Sequence, residues 1–143
     1  SWIWTQSNLF RKSNVSFMLS IANIPWLGRS FTGHLCFLLL DGVYYNFATY
    51  NGSKYEIEQP DSDSIRILLK NRNFRLMVTV PNPQEGGGLK APVNGGMQRT
   101  IRERTDSEVS LRLYDKKDNI VFEDTGTHCG IEITGNMDEL NPR

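Results

Sequence analysis

The run "HLCFLLLDGVYYNFATY", residues 34–50, constrains the fold more than any other part of the chain. Two stretches rich in aromatic and strand-favouring residues flank Asp41-Gly42. That pair suits a two-residue type I′ turn, because both central residues of such a turn need positive φ. The turn sets a register: Leu40 opposite Val43, Leu38 opposite Tyr45, Cys36 opposite Phe47 and His34 opposite Thr49. All eight side chains then lie on one side of the sheet. It is the more apolar side, so it is assigned to the interior.

The same period of two recurs along the chain. Val15, Phe17, Leu19 and Ile21 alternate with Ser16, Met18 and Ser20, and "NIPWLGRSF" after them reads as a Pro- and Gly-marked crossing. A three-residue loop at Asn51-Gly52-Ser53 puts Tyr55 opposite Thr49 and Ile57 opposite Phe47. It thereby keeps Lys54, Glu56 and Glu58 out of the interior, where an unpaired charge is expensive. Ile65, Ile67 and Leu69 face Phe74, Leu76, Val78 and Val80 across a turn at Asn71-Arg72-Asn73, with Arg66, Lys70 and Arg75 outside. "PNPQEGGGLKAPVNGG" reads as a long connection. Strands are expected again over Met97–Arg104, Val109–Tyr114, Ile120–Glu123 and His128–Thr134. No stretch repeats apolar residues at i, i+3, i+4 and i+7, and no internal repeat points to a propeller. The expected fold is therefore all-β: an antiparallel up-and-down β-barrel, lipocalin-like in architecture, or a strongly curved meander sheet.

Charge and cysteine content narrow the function classes. Sixteen basic and sixteen acidic residues in a chain of 143 give zero net charge, without the electrostatic footprint of a nucleic-acid or anionic-membrane binder. The longest apolar run, Leu35 to Leu40, is too short for a transmembrane segment. Cys36 and Cys129 have neither CxxC spacing nor the density of a disulfide scaffold. They read as buried thiols of a reducing, cytoplasmic compartment, with a bridge between them left open. His34 and His128 show no metal-ligand spacing, and Gly86-Gly87-Gly88 lacks the context of a phosphate loop, so no metal and no cofactor is implied. His34 keeps two readings, a structural hydrogen-bonded histidine or a catalytic one.

The opening "SWIWTQSN" places Trp2, Trp4, Gln6 and Asn8 on one face. Two readings fit. One is the wall of a ligand cavity, apolar with a few placed polar groups; the other is a Trp-rich edge with Gln6 and Asn8 at a wet rim.

Three segments carry a resemblance. "WIWTQSN" is similar to the W-x-W-x-Q-x-N segment of the tocopherol cyclase-like family, "DGVYYNFATYNG" to its DG-x-x-Y-x-F-x-x-[WY]-N-G, and "LKAPVNGG" to its L-[KR]-A-P-x-x-x-G. They occur in the family's order and span most of the chain. The resemblance implies that residues 1–143 form one barrel-like domain, the C-terminal half of a longer protein built from two lipocalin-like halves. An N-terminal sister domain, or self-association through an uncovered face, is then the expected partner. The activity implied is ring closure of the intramolecular-lyase type. A prenylated hydroquinone's double bond is protonated, and the phenolic oxygen captures the cation to form a chroman. On that reading the ligand is an apolar small molecule of the prenylquinone kind. Trp2, Trp4, Tyr45 and Phe47 supply walls, Gln6 and Asn8 orient hydroxyls, Thr49 lies beside His34, and His34 is the candidate acid. A binding module without turnover, and a structural half-barrel, stand as alternatives.

Overall fold

A computed structural model describes residues 1–82, 89–93 and 96–141, and at position 26 and positions 89–106 the backbone alone. The strands are β1 (Trp2–Ser7), β2 (Val15–Trp26), β3 (Arg29–Leu40), β4 (Val43–Ala48), β5 (Lys54–Glu58), β6 (Ser64–Lys70), β7 (Arg75–Pro81), β8 (Leu89–Val93), β9 (Gly96–Tyr114) and β10 (Ile120–Thr134). Nine of them form one sheet in the order β4-β3-β2-β1-β10-β9-β7-β6-β5, with β8 paired to β9 off this path. Every described pairing is antiparallel. The fold is all-β, a nearly closed antiparallel barrel whose open seam lies between β4 and β5.

The β3–β4 hairpin has the register set by Asp41-Gly42: Leu40 pairs with Val43, Leu38 with Tyr45 and Cys36 with Phe47. Asp41 and Gly42 have φ of 50° and 81°, the double positive φ of a type I′ turn. Cys36, Leu38 and Phe47 are fully buried, whereas Tyr44 and Asn46 face solvent. The β6–β7 pair likewise joins Ile65 to Val80, Ile67 to Val78 and Leu69 to Leu76. Among the strands whose side chains are described, one parity fills the barrel in this way, except that Val43 beside the turn, expected inside, is 52% exposed; the core runs from Ile3 and Phe17 to Leu76 and Leu113.

Several expected boundaries change. "NIPWLGRSF" is no crossing; it is the tip of a β2–β3 hairpin paired from Val15–Leu40 to Trp26–Arg29. Pro25 lies beyond the last β1 pair, Trp2–Ala22, where β2 has a neighbour on one side only and proline is tolerated. β5 does not pair with β4. A 3₁₀ turn at Thr49–Asn51 and Gly52 at φ 77° lead the chain on to β6 instead. There the Asn51 side chain replaces a ladder: its Oδ1 accepts from the N–H of Ala48 (3.2 Å) and of Ser53 (3.1 Å), and its Nδ2 donates to Asn46 O (3.2 Å). Tyr55 and Ile57 nevertheless face inward, as the alternation requires. The expected strands over 97–104 and 109–114 are one strand, β9, and those over 120–123 and 128–134 are one strand, β10. β10 absorbs its break as a bulge around Cys129, with His128 at φ 48°. Of the expected long connection, Leu89–Val93 is a strand, and residues 83–88 and 94–95 lie outside the described residues.

Across the seam, side chains take the place of a ladder. Asn71 Nδ2 donates to Asn46 O (2.8 Å), and the rings of Tyr45 and Phe74 meet edge to face at 4.9 Å. Cys36 and Cys129 are both buried and free, so the possible bridge is absent.

Candidate functional site at one end of the barrel

His34 sits on the interior parity of β3, one pair beyond Leu35–Ala48, at the end of the barrel where β4 turns into Thr49. Thr49 Oγ1 accepts from the His34 backbone N–H (2.8 Å), lies 3.2 Å from Nδ1, and reaches His34 O at 3.3 Å. One hydroxyl thus holds both the backbone and the ring of His34. It does so in either charge state. Beside neutral imidazole the Thr49 O–H donates to Nδ1; beside imidazolium, Nδ1–H donates to Oγ1 and the hydroxyl turns to the carbonyl. Nε2 is shut off from solvent and has no hydrogen-bond partner. Partial burial lowers the His34 pKa below its ordinary 6.5, because desolvation disfavours the cation.

Against His34 lies Tyr55, their ring centroids 4.9 Å apart at 61°. Burial raises the Tyr55 pKa, with a Thr32 side-chain hydrogen bond working the other way, so the phenol stays protonated at neutral pH. Its hydroxyl donates to the carbonyl of Leu140. Leu140 is fully buried and follows the 3₁₀ turn Met137–Glu139, which the Asn136 side chain caps by accepting from the N–H of Asp138 (3.0 Å). Asn141 Oδ1 then accepts from the free-edge N–H of Ile57 (3.0 Å). The segment from Asn136 to Asn141 therefore runs from the end of β10 to the open edge of β5 and closes this end of the barrel. Sequence reasoning missed it. The signal available was a capping Asn136 and an isolated Leu140 after the last alternating strand.

The expected site residues divide. His34 and Thr49 are together, and Phe47 and Tyr45 lie on the same interior face, Phe47 fully buried and Tyr45 partly so. Trp2, Trp4, Gln6 and Asn8 do share a face, but it is the outer one, and this corrects the expectation that they look into a cavity. The interior parity of β1 is Ile3, Thr5 and Ser7. The two hydroxyls are acceptable there because each has a partner: Thr5 Oγ1 lies 2.8 Å from Cys129 Sγ, and Ser7 Oγ donates to Thr127 O (2.9 Å). Outside, the Trp2 indole N–H donates to Glu132 (3.0 Å), and the Trp4 ring lies over Gly130.

Burial raises the pKa of both thiols, Cys36 most strongly, so neither is a thiolate nucleophile at neutral pH. Among the described residues no group of three His, Cys, Asp or Glu side chains could hold a metal ion. A depression of about 580 Å³ at β5–β7 adjoins the cap: Tyr55, Ile57 and Asn141 line it together with Lys54, Lys70, Arg75, Met77 and Tyr114, whereas His34 does not.

Fold and site together define a nearly closed antiparallel barrel with a histidine–tyrosine pair under a C-terminal cap. Comparison with protein families matches residues 1–135 to the family described as tocopherol cyclase-like, and the chain belongs to that family. No curated protein and no solved structure matches it.

Proposed function

We propose that this barrel closes a chroman ring on a prenylated hydroquinone, with His34 as the acid. Family membership supports the reaction class. The observation that carries the residue assignment is His34 Nε2, which is shielded from water and unpartnered while Nδ1 is held by Thr49. Imidazolium Nε2–H delivers its proton to the side-chain double bond, and the resulting tertiary cation is captured by the phenolic oxygen. The phenolic proton returns to Nε2, so the reaction is a net isomerisation with no co-reactant. Lowering the His34 pKa makes the imidazolium a stronger acid. Phe47, Tyr45 and Tyr55 offer aromatic faces for the cation and exclude water that would otherwise trap it. Trp2, Trp4, Gln6 and Asn8 have no part in this site.

The test is chroman formation from a short-chain prenylated hydroquinone, followed by chromatography. His34→Gln should lower turnover by at least about a hundredfold, the usual worth of a positioned acid. Wild-type binding without product would replace the cyclase by a binding module. Equal turnover in His34→Gln would remove His34 as the acid.

A further inference from the structure

At two places on the outer face of the barrel, opposite charges stand across from each other on neighbouring strands. Glu58 of β5 is opposite Arg66 of β6 and pairs with it at 3.5 Å, and Glu123 of β10 is opposite Arg112 of β9 and binds its guanidinium. One row breaks this pattern. Lys54, Lys70 and Arg75 stand opposite one another on β5, β6 and β7, all three exposed, and Tyr114 of β9 completes the row. Like charges directly opposite each other destabilise a sheet. Arg75 is compensated, since it pairs with Asp118 at 2.5 Å and lies over the Tyr114 ring, 4.9 Å from its centroid. Lys54 and Lys70 pair with no carboxylate among the described residues. The β6–β7 hairpin, residues 64–81, adds Arg72 in its turn and contains no Asp or Glu.

The next row holds apolar side chains where the outer parity is otherwise polar. Leu68 of β6 is opposite Met77 of β7, and both are half-buried. The two rows line the same depression of about 580 Å³, a volume in the ordinary range for small-molecule sites. Glu56 lines it too, opposite Leu68 and off the row of cations.

We propose that this depression binds a small amphipathic carboxylate, a molecule with an apolar body and one anionic head. The head lies between Lys54 and Lys70, where it supplies the counter-charge that the row lacks. The body lies on Leu68 and Met77 and covers apolar surface that the free protein leaves partly wet. Glu56 beside that floor disfavours the reversed orientation by like-charge repulsion. The inference is independent of what the barrel interior does.

Isothermal titration with decanoate, decanol and acetate tests it. The wild type should bind decanoate at least about tenfold more tightly than decanol, which lacks the charge, or acetate, which lacks the body. Lys70→Glu gives the row the alternating signs found at Glu58–Arg66. It should therefore keep or raise the melting temperature while abolishing decanoate binding. Lys54→Gln should weaken decanoate roughly tenfold, the worth of one charge-assisted hydrogen bond, and leave decanol unchanged. Met77→Gln should weaken decanoate without affecting acetate. A wild type that does not bind decanoate would overturn the proposal, and so would decanoate binding that survives Lys70→Glu, which would place the ligand elsewhere, as in the barrel interior. Acetate binding as tight as that of decanoate would reduce the site to a plain anion site. Co-sedimentation with phosphatidylglycerol vesicles in the absence of any decanoate binding would assign the row to a lipid surface instead.

Discussion

The Tyr55 hydroxyl donates to the backbone carbonyl of Leu140, 85 residues later in the chain, and so fastens the C-terminal turn to the strand at the open edge of the barrel. Both partners are buried, Tyr55 to 8% exposure and Leu140 completely. Tyr55→Phe keeps the ring and leaves a buried carbonyl without its donor, a loss of about 1–3 kcal/mol. Leu140→Ala removes the plug itself and should cost about 2–5 kcal/mol, depending on how far the end of the barrel collapses. Urea denaturation should rank them in that order, and the Leu140→Ala variant should bind an apolar fluorophore better than the wild type. A Tyr55→Phe midpoint equal to that of the wild type would mean that the tether does not hold the cap.

Stability should depend on pH through His34. Its folded pKa lies below the ordinary 6.5, so between the two values the unfolded chain binds more protons than the folded one. Stability is therefore fully present above about pH 6.5 and falls as pH drops through that window towards the folded pKa. Asp61 and Asp115 are also shifted, both lowered from 3.8, chiefly by backbone hydrogen bonds from Asp63 and Asn119. Their contributions are lost only at more acidic pH, below that value. Melting temperatures at pH 7.5 and 5.5 should thus differ in the wild type and converge in His34→Gln. Turnover should show the opposite trend, declining as pH rises through the same folded pKa, because the acid form is then depleted.

The seam between β4 and β5 offers a single-atom test. Asn71 Oδ1 accepts from the N–H groups of Asn73 (2.9 Å) and Phe74 (2.8 Å) and so builds the β6–β7 turn, while its Nδ2 reaches across to Asn46 O (2.8 Å). Asn71→Asp keeps the turn acceptor and loses the cross-seam donor. The expected cost is about 1 kcal/mol, with faster amide exchange in β4 and no change in β6. Protection unchanged in β4 would show that the Tyr45–Phe74 contact holds the seam alone.

What the sequence made legible, and what it hid, divides along a physical line. Asp41-Gly42 and Asn71-Arg72-Asn73 are local devices: their turn chemistry set the registers of β3 on β4 and of β6 on β7, and the more apolar side of each pair then marked Tyr45 and Phe47, and Ile67 and Val78, as inward. The barrel class followed from the same period of two. Parity at β1 did not, because hydrophobicity is a poor guide where the inward residues are Thr5 and Ser7, each satisfied by a partner on β10 more than a hundred positions away. The Leu27-Gly28 turn was hidden for a related reason, since leucine is not a residue that marks a type I′ turn. The His34–Thr49 pairing was read from register, whereas the cap over it was not, because Leu140 and Asn141 reach Tyr55 and Ile57 through tertiary contacts with no local signature.

The outward tryptophans lead to the last prediction. A Cβ built on Gly130 would stand 3.0 and 3.2 Å from two atoms of the Trp4 ring, closer than side chains normally approach. Gly130 carries no positive φ, so an alanine there is opposed by the indole alone and not by its backbone. Gly130→Ala should therefore destabilise the chain by about 1–3 kcal/mol, the range for overpacking. Trp4→Ala should cost stability through lost packing on the outer face while leaving ligand binding inside the barrel untouched. In the Trp4→Ala background the Gly130→Ala penalty should vanish or reverse, because nothing then opposes the methyl group and alanine restricts the unfolded chain. A double-mutant cycle by urea denaturation reads the coupling directly and should exceed about 1 kcal/mol. Additive effects would place the strain elsewhere than at the indole. A large loss of interior ligand binding in Trp4→Ala would return the ring to the wall of a cavity.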